Sequence, residues 1–393
     1  MQQSFLNAAI QIKDELIEIR HHLHQFPELS FQELKTMEFV MERLSEIGIP
    51  FEKNVAGTGI VALILGDENG NCIALRADMD ALPIVEENEV EYKSQNVGVM
   101  HACGHDVHTT CLLGAAKILW EQKEKIKGAV KLIFQPGEEM NPGGASLMIQ
   151  AGVLENPKPD AIIGLHVFPD LPAGSFGFRS GQYMASADEI HITIKGKGGH
   201  AALPQNTVDP IVIAANIIVQ LQQLVSRRCH PLTPTVLSFG HINGGHTTNV
   251  IPEIVTLKGT LRTFDEAWRK EAKILIKNIV KENAAIWGAT AEVDIPPGYP
   301  FLSNDEKLSS KIELLAKQLV GEGSVVPIPM RMTAEDFSYY TQEIPGCFFR
   351  LGTNKDHKEF INPVHNSRFD INEEALVYGA AMMAWAAYGY LEQ

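Results

Sequence analysis

The chain has 393 residues, 45% hydrophobic and 21% charged, with a net charge of −15 at pH 7. That length exceeds one ordinary core and implies two domains, and the composition is that of a globular chain, not a disordered one. The negative charge repels phosphate backbones and anionic membranes, which argues against nucleic-acid and membrane partners. No apolar run approaches the ~20 residues that span a bilayer, and the acid-bearing first residues lack the cationic and apolar regions of a signal peptide. Five widely spaced cysteines (Cys72, Cys103, Cys111, Cys229, Cys347) are an odd number. They fit a reducing cytoplasm better than a disulfide framework.

Residues 5–24 carry helical periodicity (Phe5, Ile10, Ile12, Leu16, Ile19, Leu23), and Pro27 stops that helix. A second amphipathic helix is expected over 33–47, with Met37, Val40, Met41 and Leu44 on one face. Residues 57–65 read as a strand, 67–71 as a hairpin-like turn and 72–76 as a buried strand. The last opens into Ala77-Asp78-Met79-Asp80-Ala81-Leu82-Pro83, two carboxylates at a strand end. After the stretch 100–108 comes a helix over 109–120. Residues 130–134 form a strand ending in Gln135-Pro136-Gly137-Glu138-Glu139, and 161–165 one ending in His166. Buried strands alternating with helices predict an α/β sheet covered on both faces, with the site at its carboxyl ends.

The texture changes near Ser186. Residues 189–194 alternate polar and apolar, Gly196-Lys197-Gly198-Gly199-His200 is a glycine-rich turn, and 209–225 is a long apolar helix. Strands over 235–241 and 255–262 and a helix over 265–287 complete two strand–helix–strand halves. This predicts an α+β domain inserted at 184–294, its helices on one face of an antiparallel sheet. The first domain is then discontinuous, 1–183 plus 295–393.

The densest chemistry lies in Met100-His101-Ala102-Cys103-Gly104-His105-Asp106-Val107-His108. Thiolate, imidazole and carboxylate are the protein ligand types of a transition-metal site, and Gly104 allows the tight turn that aims Cys103 and His105 at one point. Glu139, His166 and His365 can add ligands from other segments. Five ligands exceed the need of one catalytic zinc and fit two ions sharing ligands. Glu138, beside Glu139, is placed to move the proton of a bound water. Asp78 or Asp80 can orient a ligand. His200, Asn249 and Arg262 offer neutral donors and a cationic fork suited to a carboxylate and a developing oxyanion. His101 and His108 read as packing or supporting residues.

Four segments resemble a known family: Arg20-His21-His22-Leu23-His24-Gln25-Phe26-Pro27-Glu28-Leu29-Ser30, Arg76–Pro83, Met100–Asp106 and Gln135–Glu139. Together they are similar to the M20 metallopeptidases, in particular to the amidohydrolase branch of aminoacylase, hippurate hydrolase and auxin-conjugate hydrolase type. Gly164-Leu165-His166, Gly196–His200, Ala334-Glu335-Asp336-Phe337-Ser338 and Pro363-Val364-His365 continue the likeness in order. It implies a zinc-peptidase-like α/β catalytic domain interrupted by a ferredoxin-like α+β dimerisation and lid domain. The reaction implied is hydrolysis of the amide bond of N-acyl amino acids (N-acetyl, N-benzoyl or similar) with two divalent metal ions. These would be zinc or manganese, with cobalt or nickel as substitutes in vitro.

The resemblance places the ligands on Cys103, His105, Glu139, His166 and His365 and the general base on Glu138. It makes Asp80 an orienting aspartate, leaves Asp78 beside it without a separate role, and gives the substrate carboxylate to Asn249 and Arg262. In a homodimer formed through 184–294, His200 would reach the partner subunit's site and steady the tetrahedral intermediate. The peptidase branches carry His-x-Asp where this chain has Asp78-Met79-Asp80, and they lack the cysteine. A dipeptidase of the same family is the neighbouring reading. A non-catalytic metal-binding scaffold would have lost a ligand or the base, and none is missing.

Overall fold

The computed structural model describes residues 2–67, 70–354 and 362–392. The chain divides into two compact units. One comprises Met1–Tyr183, Ser303–Met330 and Asp336–Gln393, the other Met184–Leu302 and Arg331–Glu335. The second unit extends past residue 294 because the Pro296–Phe301 stretch bonds back into it. Arg269 donates to the Gly298 carbonyl at 2.6 Å, and Ala187 N–H donates to that of Tyr299 at 2.9 Å.

The first unit is built on an eight-stranded sheet in the spatial order 51–55, 59–65, 128–135, 71–78, 161–172, 346–354, 176–178, 325–327. Its centre is parallel: Asn71–Asp78 lies between Gly128–Gln135 and Ala161–Pro172, and Gly346–Asn354 adds to the latter. Antiparallel pairings on either side of this centre make the sheet mixed rather than purely parallel. The central strands are apolar along their length because helices cover both faces. Every residue of Gly128–Gln135 is buried, Lys131 included. Its ammonium is satisfied by the carbonyls of Val153, Glu155 and Pro157.

Several expectations need correction. The hairpin expected around 67–71 does not form, because strand 128–135 lies between 59–65 and 71–78; Glu68 and Asn69 themselves lie outside the described residues. The first helix is two, Gln2–Gln11 and Lys13–Gln25. The break at Ile12 lets Phe5 pack on Trp385 and Tyr388, ring centroids 5.4 and 5.1 Å away. The helix expected over 109–120 is His105–Glu121 and starts inside the ligand stretch. It packs against Glu374–Leu391 at a close approach of small residues. A Cβ on Gly379 would lie 2.3 Å from Cys111 Sγ. The strand carrying His166 runs on to Pro172 rather than ending there.

The second unit has a four-stranded antiparallel sheet in the order 235–243, 254–263, 188–195, 290–294. With helices Pro210–Gln223 and Glu266–Ile286 the chain order is β-α-β-β-α-β, the ferredoxin-like arrangement. Both helices are N-capped by aspartates, Asp209 onto Ile211 N–H and Asp265 onto Trp268 N–H. Ile190, Ile192 and Ile194 alternate into the core against Ile217, Leu221, Ile276 and Val280. Among the described residues no helix is long and apolar enough to cross a membrane.

Candidate metal centre

Gly104 adopts a left-handed backbone (φ 83°), and a Cβ there would lie 2.6 Å from Val167 Cγ2. Glycine is thus required twice, by the turn and by the close approach. The turn leaves Cys103 just before the helix and His105 on its first residue. His166 sits where its strand has lost one neighbour: pairing with 71–78 ends at Arg76↔Gly164, and pairing with 346–354 continues through Arg350↔His166. His365 comes from a loop with φ 64°, fixed by its N–H donating to Ala102 O at 2.7 Å.

These segments bring all five expected ligands together. His166 Nε2 lies 3.5 Å and His365 Nε2 3.3 Å from Cys103 Sγ, and His365 Nε2 lies 3.3 Å from Glu139 Oε1. Cys103, His105 and His166 form one group with ligand atoms within 4.8 Å of one another, and Cys103, Glu139 and His365 form another. Cys103 belongs to both. Glu138 joins a third group with His105 and Glu139, its Oε2 4.0 Å from His105 Nε2.

The donor set fits cations. His105 Nε2 and Glu139 Oε1 are buried and find no hydrogen-bond partner among the described residues, an arrangement that costs free energy unless something binds there. Burial disfavours a charged His105, but Asp78 and the bond to Asp80 outweigh it and raise its pKa to about 10. The carboxylates that would keep a proton on that ring would equally hold a metal ion. The Cys103 thiol is pushed well above its usual range by burial and then by Glu139 and Glu138, so its thiolate requires a neighbouring positive charge.

The second layer explains the orientations. Asp80 Oδ1 accepts from His105 Nδ1 (3.1 Å); its Oδ2 accepts from Ser30 Oγ (2.6 Å) and Glu139 N–H (2.9 Å). His166 Nδ1 donates to Val167 O at 2.8 Å, which turns Nε2 towards Cys103. His108 lies within ligand distance of Asp78 and His105 but has no free lone pair. Its Nδ1 donates to Asp78 Oδ1 (2.6 Å), and its Nε2 accepts from Val167 N–H (2.9 Å). His101 is buried and neutral, its pKa pushed down to about 4 by burial.

Comparison with known proteins decides the family. Residues 74–388 match the family described as Peptidase family M20/M25/M40. The chain belongs to this family. It is 42% identical to the N-acetyl-L-cysteine deacetylase of Bacillus subtilis, over 93% of this chain and 86% of that one. It is 40% identical to the IAA-amino acid hydrolase ILR1-like 2 of Arabidopsis thaliana, over 98% and 87%. Among solved structures it resembles Bacillus subtilis YXEP, a dinuclear metal-binding peptidase of the M20 family. The TM-score is 0.82 at 36% identity, covering 97% of this chain and 99% of that one. The chain is therefore a hydrolase, a metal-dependent amidohydrolase of the M20 family.

Around this M20 centre lie residues that sequence reading did not single out. Arg76 donates to Asp78 Oδ2 (2.6 Å), Gln135 Oε1 (2.9 Å) and Asp336 Oδ1 (2.8 Å), all buried. Arg20 donates to Asp106 (3.0 Å) and Asp370 (3.2 Å). The signal in the sequence was a charge inside an apolar run: an arginine closing 72–76 is costly unless it is paired.

Within the second unit, His200 and Asn249 are neighbours. His200 pairs with Val250, and Ala201 N–H donates to Asn249 O at 3.0 Å. Both are exposed. Arg262 is not with them. Lys195, which leads into the Gly196–His200 turn, pairs with Ile254, and Asp188 pairs with Leu261. Arg262 therefore lies about eight residues, roughly 26 Å, along the sheet from that turn. It donates to Thr260 Oγ1 and Leu261 O, and burial lowers its pKa.

Proposed function

We propose that the chain hydrolyses the amide bond of N-acyl amino acids, with Glu138 as general base. The observation that carries this reading is the position of Glu138, 4.0 Å from His105 Nε2 and beside two ligand groups that share Cys103. Cys103, His105, Glu139, His166 and His365 would hold two divalent ions, and thiolate and imidazole donors favour zinc or another borderline-soft ion over manganese. Such ions, when bound, lower the pKa of a water and polarise a carbonyl. Glu138 takes the proton of the attacking water and returns it to the leaving amine. Asp80 holds His105 and Glu139 in register, and Asp78 holds His108. Arg262 takes the substrate carboxylate from one subunit; Asn249, the neighbour of His200, joins it from the other, where His200 steadies the oxyanion.

The names of the two relatives, a deacetylase of an N-acetyl amino acid and a hydrolase of amino-acid conjugates, support this substrate class. Purified protein should release free amino acid from N-acetyl or N-benzoyl amino acids, lose that activity on chelation and regain it with metal. Glu138→Gln should lower kcat by about 10²–10⁴-fold with metal content unchanged; wild-type turnover by this variant would remove the assigned role. Unblocked dipeptides belong in the same assay. Faster cleavage of these would make the enzyme a dipeptidase.

We further propose a cytoplasmic homodimer formed through the inserted unit. Strand Thr235–Asn243 is an edge of its sheet and exposes Ile242, and helix Pro210–Gln223 exposes Ile211, Val212 and Val219. An uncovered edge strand beside an apolar helix face suits a second copy of the same surface.

A further inference from the structure

Nothing in the reaction above uses Glu33, yet this carboxylate is fully buried (0% exposed). The donors it accepts from are neutral: Phe31 N–H at 2.9 Å and Gly137 N–H at 2.8 Å on Oε1, and Thr58 Oγ1 at 2.6 Å on Oε2. Burial pushes its pKa up, against the pull of the Thr58 hydroxyl. A buried carboxylate without a cation is costly, so its bonds are expected to serve something beyond packing.

The three donors belong to three segments. Phe31 belongs to the turn that follows the second helix, Thr58 precedes strand 59–65, and Gly137 lies in the loop that carries Glu138 and Glu139. Phe31 has φ 63°, a conformation rarely adopted by a bulky residue. Its ring is laid over Gly137: a Cβ on that glycine, itself at φ 60°, would meet Phe31 Cε1 at 2.3 Å. One residue earlier, Ser30 bonds the Asp80 oxygen that also accepts from Glu139 N–H. The 30–33 segment therefore grips the loop on both sides of Glu138, at Gly137 through Glu33 and Phe31 and at Glu139 through Ser30 and Asp80.

We propose that Glu33 is a positioning residue for Glu138: by clamping Gly137 N–H to the Phe31 and Thr58 layer, it sets where the Glu138 carboxylate stands. The proposal rests on the reading of Glu138 as general base. Misplacing such a group by about 1 Å costs about 100-fold, and the loss falls on turnover rather than on substrate or metal binding.

The test compares Glu33→Ala, Glu33→Gln and Glu33→Asp in the metal-loaded, full-length enzyme. Readouts are kcat and KM on an N-acetyl amino acid, metal content, and amide hydrogen exchange over 136–140. Glu33→Ala should lower kcat by about 100-fold, leave KM and metal content near wild type, and speed exchange at the loop amides. Glu33→Gln should recover most of kcat and protection, since its carbonyl oxygen accepts from Phe31 and Gly137 and its amide donates to Thr58. Wild-type kcat in Glu33→Ala, or equal damage in Glu33→Gln, overturns the proposal. Should Glu33→Ala fail to fold, Glu33→Asp carries the test. It keeps the charge but is one methylene short of Gly137, and an unchanged kcat there overturns the proposal equally. If the wild type releases no amino acid at all, the functional reading fails, while loop exchange still decides whether Glu33 holds Gly137.

Discussion

Hydrogen bonds at single atoms decide which of the many histidines and acids can bind metal. His105 and His166 each commit Nδ1 to a neighbour and leave Nε2 towards the other ligands. His108 commits both nitrogens, to Asp78 and to Val167 N–H, and so becomes a support for the strand that carries His166. Asp78 and Asp80, left undivided by the sequence, separate for the same reason: Asp80 bonds His105 Nδ1, and Asp78 bonds Arg76 and His108. Farther out, Glu86 is buried and accepts from His24, Asn88 and Ser94 N–H. Burial alone would raise its pKa; the bonds to His24 and Ser94 lower it below the usual value. The native state therefore binds this proton less readily than the unfolded chain. The stability Glu86 contributes is present above the unfolded pKa of about 4.3 and is lost as pH falls through the lower native value. Glu86→Gln should cost about 2 kcal/mol at pH 7, with the gap to wild type narrowing below pH ~4.3. Urea unfolding across pH checks this, and a constant gap would show that the charge is immaterial.

At the scale of elements, the ligand cluster was legible because donor types are unusual in a run, and two strand ends were legible because apolar runs stopped at Asp78 and just before Glu138; the strand carrying His166 instead runs on to Pro172. The register was not legible. Nothing local says that strand 128–135 inserts between 59–65 and 71–78, because that pairing is set by burial on both faces. Nor could periodicity place the helix start at His105, since His105, Asp106 and His108 are polar and interrupt any apolar stripe before 109. The supporting residues Arg76, Glu33 and Thr58 escaped notice because their partners are distant in sequence. Gly104 was read correctly as a turn, but its second constraint, Val167, lies on another strand. The two constraints can be separated. Gly104→Ala should cost about 1–2 kcal/mol for the left-handed backbone and about 1–3 kcal/mol more for the contact with Val167. In a Val167→Ala background the second cost should vanish and the first remain. Chemical denaturation of the four proteins gives the coupling; strict additivity would mean that Val167 does not set the fit.

For the whole molecule, the sequence announced an inserted α+β unit through its change of texture, and the structure shows a ferredoxin-like sheet with a free edge strand. Composition could not show that His200 and Arg262 stand at opposite ends of that sheet. A separation of roughly 26 Å along the strands is too long for one small substrate to touch both residues of a single chain. A two-fold dimer removes the conflict if each copy lends its His200, with the neighbouring Asn249, to the other's site. The expectation can be tested by complementation. His200→Ala and Glu138→Gln, each nearly inactive alone, are co-expressed with different tags, and the mixed dimer is purified by both. It contains one metal centre with intact Glu138 facing a chain with intact His200, so activity should return to about half that of a wild-type dimer. If His200 served its own chain, both sites would be broken and the mixed dimer would stay as inactive as its parents. Ile242→Glu, placed on the free edge strand, should convert the dimer to a monomer of 43.3 kDa in sedimentation and abolish turnover while leaving the metal centre loaded. Activity in that monomer would show that the catalytic unit needs no partner.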